Sequence, residues 1–167
     1  MEREQFYAEA KGLIEAVNAF ATEHALAGIA RADHVGYKCD TRKMYEELRE
    51  MLEPESAFVY QSYISGRRIA VIKLNQPFET ALGPVSTLEL NDQKPDNSQR
   101  RGFDHVEVYP VSTSYETLVE KLRVQGAELE EVVRPHHTTY DIALGGPFKL
   151  KLTREPLVEK IKRDEMT

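Results

Sequence analysis

Ala32-Asp33-His34-Val35 and Gly102-Phe103-Asp104-His105-Val106-Glu107 share the tripeptide Asp-His-Val at an offset of 71 residues, and that repetition governs how the rest of the chain is read. Tyr45-Glu46-Glu47-Leu48 returns as Tyr115-Glu116-Thr117-Leu118 at an offset of 70. Two short motifs that return in the same order at almost the same spacing point to a duplicated unit. The surrounding elements agree. In each copy the Asp-His-Val segment reads as a strand, over 34–39 and 103–109, followed by residues able to cap a helix (Asp40 and Thr41; 112–114). Helices then run near 43–52 and 115–125, the second stopped by Gly126. Three strands follow in each copy, at 57–64, 68–74 and 85–90, then at 129–133, 138–144 and 148–152. Turns at Ser65-Gly66 and Gly145-Gly146-Pro147 separate the hairpin strands.

Each half is therefore a βαβββ unit, and the expected class is α+β. Residues 91–102, with Pro95, Asp96, Asn97 and Ser98, have the composition of a linker. Ahead of the repeat, Phe6, Ala10, Leu13, Val17 and Phe20 or Ala21 recur at helical spacing and predict one amphipathic helix lying across a sheet face. Residues 156–162 read as a short closing helix. The expectation is a single domain over residues 1–167, with the N-terminal helix in 1–28, the first module in 29–90, the linker in 91–102, and the second module with the C-terminal helix in 103–167.

Composition bounds the function. Lys and Arg number 22 against 28 Asp and Glu, a formal net charge of −6, which argues against general nucleic-acid affinity because phosphate binding depends on Lys and Arg. No run of 18 apolar residues exists to cross a bilayer, and the acidic start MEREQF is unlike a secretory signal, so a cytoplasmic location is expected. The lone cysteine, Cys39, cannot form an internal disulfide and excludes a Cys-rich zinc site. A bound metal would need His, Asp or Glu ligands.

Side chains alternate across a strand, so parity sorts these residues by face. Val35, Tyr37 and Cys39 oppose His34, Gly36 and Lys38; Val106 and Val108 oppose His105, Glu107 and Tyr109; Ser86, Leu88 and Leu90 oppose Val85, Thr87 and Glu89; Phe148, Leu150 and Leu152 oppose Lys149, Lys151 and Thr153. The helices cover the apolar faces. The other faces carry His34, Glu89, His105, Glu107 and Lys151, and if the sheet curls these line a cleft. An antiparallel sheet often leaves a polar face simply in water. A His at the equivalent point of both copies, with a Glu on the fourth strand between them, weighs against that reading, because two His and one carboxylate form a facial set for a divalent metal.

With Gly66-Arg67-Arg68-Ile69-Ala70-Val71-Ile72-Lys73-Leu74 and Ser86-Thr87-Leu88-Glu89-Leu90 added to the two His segments, the chain resembles the vicinal oxygen chelate superfamily, which includes glyoxalase I, extradiol dioxygenases, methylmalonyl-CoA epimerase and bleomycin-resistance proteins. Within it the chain is most similar to the uncharacterised, metal-binding YecM-like family. The resemblance spans most of residues 30–155 and implies paired βαβββ modules whose mostly antiparallel strands form a U-shaped cleft around one divalent metal ion, whether Zn, Ni, Mn or Fe. By position it implies His34, Glu89 and His105 as ligands. The fourth ligand of the superfamily is usually a Glu on the last strand, and here that position holds Lys151, which has no lone pair to offer.

The resemblance implies a small oxygen-chelating substrate and isomerase, lyase or dioxygenase chemistry, in which Glu107 moves a proton and Lys151 holds an anionic group. Glu107 is also placed to serve as a ligand or to orient one. The competing reading is a metal-free, non-catalytic small-molecule binding module in which Lys151 pairs with Glu89. His136 and His137 read as strand-edge or loop residues, Arg67 with Arg68 and Arg100 with Arg101 as solvated charge, and Cys39 as a small buried hydrophobe. His24 suits a helix C-terminus, and Tyr140 is within reach of the cleft.

Overall fold

A computed structural model describes residues 1–56, 58–64, 66–134 and 138–165, and His136 and His137 lie outside the described residues. Two helices, α1 (Arg3–Glu9) and α2 (Lys11–Glu23), come first. The first module is β1 (Ala30–Lys38), α3 (Arg42–Leu52), β2 (Phe58–Ile64), β3 (Arg67–Thr80) and β4 (Gly83–Asn91). The second is β5 (Gly102–Pro110), α4 (Tyr115–Val124), β6 (Glu130–Val133), β7 (Thr138–Gly145) and β8 (Phe148–Leu152), and α5 (Leu157–Glu165) follows.

The strands form one open sheet in the order β2-β3-β4-β1-β5-β8-β7-β6. The first strands of the two modules, β1 and β5, pair antiparallel at its centre. Each is flanked on its other side by the fourth strand of its own module, in parallel, and the remaining pairs are antiparallel. The modules are thus related by an approximate twofold through the β1–β5 pair. The helices that follow β1 and β5 start alike: Thr41 Oγ1 accepts from the Met44 amide, and Ser114 Oγ from the Thr117 amide, each at 3.1 Å. Such caps contribute about 1 kcal/mol apiece.

Parity separates the two faces as the strand patterns require. Val35, Tyr37, Leu88, Leu90, Val106, Val108, Leu150 and Leu152 belong to one apolar cluster with the buried residues of α2, α3 and α4. Val85 departs from the alternation: it has the parity of Glu89 yet joins the core opposite Phe78, beyond an irregularity in the β3–β4 ladder between Lys73 and Phe78. The same irregularity lets β3 continue past Pro77, well beyond the stretch that alternation alone predicts.

The N-terminal segment is two helices, not one. They meet at Ala10, whose amide bonds the Tyr7 carbonyl in a tighter turn, while Phe6, Ala10, Leu13 and Val17 stay buried in one continuous stripe. Phe6 packs on Tyr37 of β1 and Phe103 of β5, with ring centroids 5.4 and 5.1 Å apart, so α1 ties the two modules together. The stretch between the modules is more ordered than its composition suggests. Gln99 Nε2 donates to the carbonyls of Cys39 at 2.7 Å and Asp92 at 2.8 Å, and Gln93 Nε2 to that of Asp40 at 2.6 Å. Side-chain amides here replace the ladder partners that an irregular buried backbone would otherwise lack.

Candidate metal centre

The central β1–β5 ladder contains two bulges, and they fall on the repeated motif. Ala32 pairs with Val108 and His34 with Glu107, which leaves Asp33 as an extra residue in β1. Gly36 pairs with His105 and Tyr37 with Phe103, which leaves Asp104 as an extra residue in β5. In a regular strand neighbouring side chains point to opposite faces, but a bulge re-aims them. Each Asp consequently reaches the ring of the His that follows it: Asp33 Oδ2 lies 2.7 Å from Nδ1 of His34, and Asp104 Oδ1 lies 2.8 Å from Nδ1 of His105. A carboxylate on Nδ1 places the proton there, orients the ring and leaves Nε2 with its lone pair directed at the other face. Asp33 Oδ2 also accepts the first amide of α5, from Leu157 at 2.9 Å, and Asp104 pairs with Lys38 at 2.8 Å.

His34, His105 and Glu107 each offer a ligand atom within 4.8 Å of the other two. Nε2 of His34 lies 3.2 Å from Glu107 Oε2 and 3.5 Å from Glu89 Oε2. Glu89 therefore stands against the group through His34, and the structure brings Glu107 inside it. Asn91 Nδ2 holds the other oxygen of Glu89 at 3.3 Å. The two His rings meet edge to face, with centroids 5.8 Å apart.

Gly36 makes that approach possible. A Cβ at this position would fall 2.0 Å from Cε1 of His105, so any side chain would collide with the ring. Gly36 occupies the twofold equivalent of Glu107, as the pairings His34 with Glu107 and Gly36 with His105 show.

The donor set passes a test for a divalent cation. Nε2 of His34 is fully buried and, although two carboxylate oxygens lie close, has no hydrogen-bond partner. The 3.2 and 3.5 Å separations at Nε2 of His34 lie near the roughly 3.0–3.4 Å edges that ligand distances of about 2.1 Å imply, and the ligand atom of His105 is within 4.8 Å. Burial works against charge on His34, but the Glu107 carboxylate, with Asp33 and Glu89, raises its proton affinity well above that of an ordinary imidazole. Burial likewise resists ionisation of Glu89 and Glu107, yet the adjoining His34, with His105, holds both below the usual carboxylate range. The pocket therefore favours a positive charge between its two carboxylates, which a metal ion or a proton can supply.

The registers also locate Lys151. Gly36 pairs with Glu89 across β1–β4, and Glu107 with Lys151 across β5–β8, so Lys151 is the twofold equivalent of Glu89. Its ion pair is with Asp141 on the neighbouring strand, at 3.4 Å, not with Glu89. Asp141 is buried and also accepts from Thr139 Oγ1 at 3.0 Å.

Of the other residues, Tyr140, Arg68 and Arg101 are placed differently from the sequence expectation, whereas His24 ends α2 and Cys39 is buried as expected. Tyr140 turns to the helix side, where it meets Tyr115 with ring centroids 6.3 Å apart and lies under Arg123. Arg68 pairs with Asp92 and Glu46 and stacks over Tyr45, and Arg101 pairs with Glu9, so neither is merely solvated. His24 is buried against Phe20 and bonded to Gln125 at 2.8 Å, where it joins the end of α2 to that of α4. Cys39 is buried, and burial pushes its thiol well up. The orienting role of Asp33 and Asp104 was not read from the sequence, although Asp directly before His in both copies was the available signal.

Among the described residues no helix is long and apolar enough to cross a membrane. No curated protein matches the chain. Among solved structures, the structural-genomics protein EC4020 aligns at 22% identity and a TM-score of 0.66, covering 95% of this chain and 91% of that one, which shows a common fold. A Streptomyces coelicolor methylmalonyl-CoA epimerase in complex with 2-nitronate-propionyl-CoA aligns at 16% identity and a TM-score of 0.47, covering 77% of this chain and 100% of its own. The fosfomycin resistance protein FosX from Listeria monocytogenes, complexed with Mn(II) and a dihydroxypropylphosphonic acid, aligns at 11% identity and a TM-score of 0.29, covering 77% and 95%. The YecM protein family matches residues 2–161, nearly the whole length over which the two modules and their helices extend, and the chain belongs to that family.

Proposed function

We propose that the cleft binds one divalent metal ion between His34, His105 and the carboxylates Glu89 and Glu107, and acts there on a small oxygen-bearing ligand. The buried, unpartnered Nε2 of His34 is the observation that carries this reading. Leaving such an atom unsatisfied costs about 1–3 kcal/mol, which a cation would recover. A divalent cation supplies a Lewis acid with positions open to ligand oxygens. The chain's own residues do the rest. Asp33 and Asp104 keep the Nδ1 protons of the two His and fix their rings. Glu89 and Glu107 approach His34 from two different strands, so one can hold the cation while the other takes a proton from the ligand at Oε2 and returns it. Proton transfer next to a chelated pair of oxygens is isomerase or lyase chemistry.

The test is metal analysis of untagged protein, as purified and after exposure to Zn(II) or Mn(II), repeated on His34→Ala, His105→Ala, Glu89→Ala and Glu107→Ala. One ion per chain is expected in the parent and none in the His variants. Of the two Glu variants, the one that still binds metal identifies the proton carrier. A parent that takes up neither metal and shows no change in melting temperature in their presence overturns the proposal.

A further inference from the structure

Arg67 stands in the cleft without the partner that its neighbour has. The β3–β4 register pairs Val71 with Glu89 and Ile69 with Asn91, so Arg67, next along the same face, belongs to the cleft side. Arg68 turns the other way and is neutralised by Asp92 at 2.8 Å and Glu46 at 3.4 Å. Among the described residues, Arg67 has no carboxylate within 4.0 Å. Its hydrogen bond is a long one, 3.4 Å from Nη2 to Asn91 Oδ1, and its Nε is buried with no acceptor at all. Asn91 in turn donates to Glu89 at 3.3 Å, so one side chain lies between the guanidinium and that carboxylate. Ile69 and Val71, on the same face, are buried but stand apart from the main apolar cluster, and they form a nonpolar floor between Arg67 and Glu89. A cavity of about 220 Å3 opens beside Arg67 at the end of the sheet, toward α3: Arg42, Arg68, Glu46 and Asp92 also line it, and its two carboxylates are those already paired with Arg68.

A buried guanidinium donor without an acceptor calls for an explanation, and a planar oxyanion supplies the matching geometry. We infer that Arg67 takes a second anionic group of the ligand, a carboxylate or a phosphate, at the first module's end of the cleft. This rests on reading the cleft as a ligand site, and it narrows the ligand to a small molecule with a chelating oxygen pair at one end and an anionic group at the other, joined across an apolar stretch. Lys151 is less suited to that role, since Asp141 already neutralises it.

Calorimetric titration of metal-free protein with inorganic phosphate and, separately, with malonate tests the inference on the parent, Arg67→Gln, Arg67→Lys and His105→Ala. The parent binds at least one of the two anions, and the tighter one tells phosphate from carboxylate as the group recognised. Arg67→Gln weakens that binding roughly tenfold or more, the loss expected for charge-assisted hydrogen bonds. Arg67→Lys, which keeps the charge and serves if the Gln variant fails to fold, retains part of it, and His105→Ala retains it in full. Equal binding by the parent and Arg67→Gln overturns the inference, as does no binding of either anion by the parent up to about 50 mM, well beyond millimolar affinity. Binding that depends on His105 but not on Arg67 places the anion at the metal cluster and overturns this inference while leaving the metal proposal standing. Arg67-dependent binding in a protein that takes up no metal does the reverse.

Discussion

The two modules present the same backbone and different chemistry. Each bulges at the Asp of its Asp-His-Val motif and turns one His into the cleft with its Nδ1 held by that Asp. Two positions then break the symmetry. The residue two places after the His is Gly36 in the first module and Glu107 in the second, and the residue beside it on the fourth strand is Glu89 in the first and Lys151 in the second. Each module therefore supplies one His and one carboxylate, but the first takes its acid from β4 and the second from β5. The exchange leaves room for His105 over Gly36 and puts both carboxylates near Nε2 of His34. A duplicated fold fixes where side chains can converge. Which ones converge is decided by substitutions at a few equivalent positions.

The sharpest way to break this comparison is Gly36→Ala. The new Cβ would sit within 2.0 Å of the His105 ring, so overpacking should cost about 2 kcal/mol by urea denaturation and metal uptake should be lost; normal stability and normal metal content would mean that His105 has room to move aside. Next in size are the two orienting carboxylates. Asp33→Ala and Asp104→Ala should each weaken metal binding by roughly 10–100-fold, measured by competition with a chromophoric chelator. Asp33→Ala should be the worse of the two because Asp33 also anchors the Leu157 amide at the start of α5, and equal losses would show that this anchor does not matter to the site. The smallest effect is expected from Lys151→Glu, which restores the symmetric acid: metal affinity should rise on the order of tenfold, a Coulombic gain near 1.4 kcal/mol at a partly buried position. Unchanged affinity in the same titration would place Lys151 outside the ion's reach.

Much of the fold was legible before any coordinates. The order strand, helix, three strands in both halves follows from apolar alternation and from cap residues, both local properties of the chain, and the observed ends of α3, α4 and β8 lie close to those read from the sequence. The break at Ala10 was not visible, because the apolar stripe runs through it unchanged. Nor was the length of β3, where Pro77 marks an irregular segment and not the strand's end. Parity put His34, Glu89, His105, Glu107 and Lys151 on one face of the sheet; Tyr140, Arg67 and Arg68 were read without it, and the structure turns Tyr140 to the helix side and Arg67 and Arg68 to opposite faces, as adjacent strand residues must be.

The sequence by itself determined the duplication, the two βαβββ units and the presence of a repeated His on the polar side of each first strand, because period-two alternation and the spacing of motifs survive in one dimension. Only the tertiary structure decided that Asp33 and Asp104 are the bulged residues, that Gly36 must stay bare beneath His105, that Lys151 answers to Asp141, and that Arg67 has no ion-pair partner among the described residues. Each of these depends on which residue of one strand lies opposite which residue of another. Such register is set by packing across the sheet, between residues far apart in the chain, and no local pattern records it.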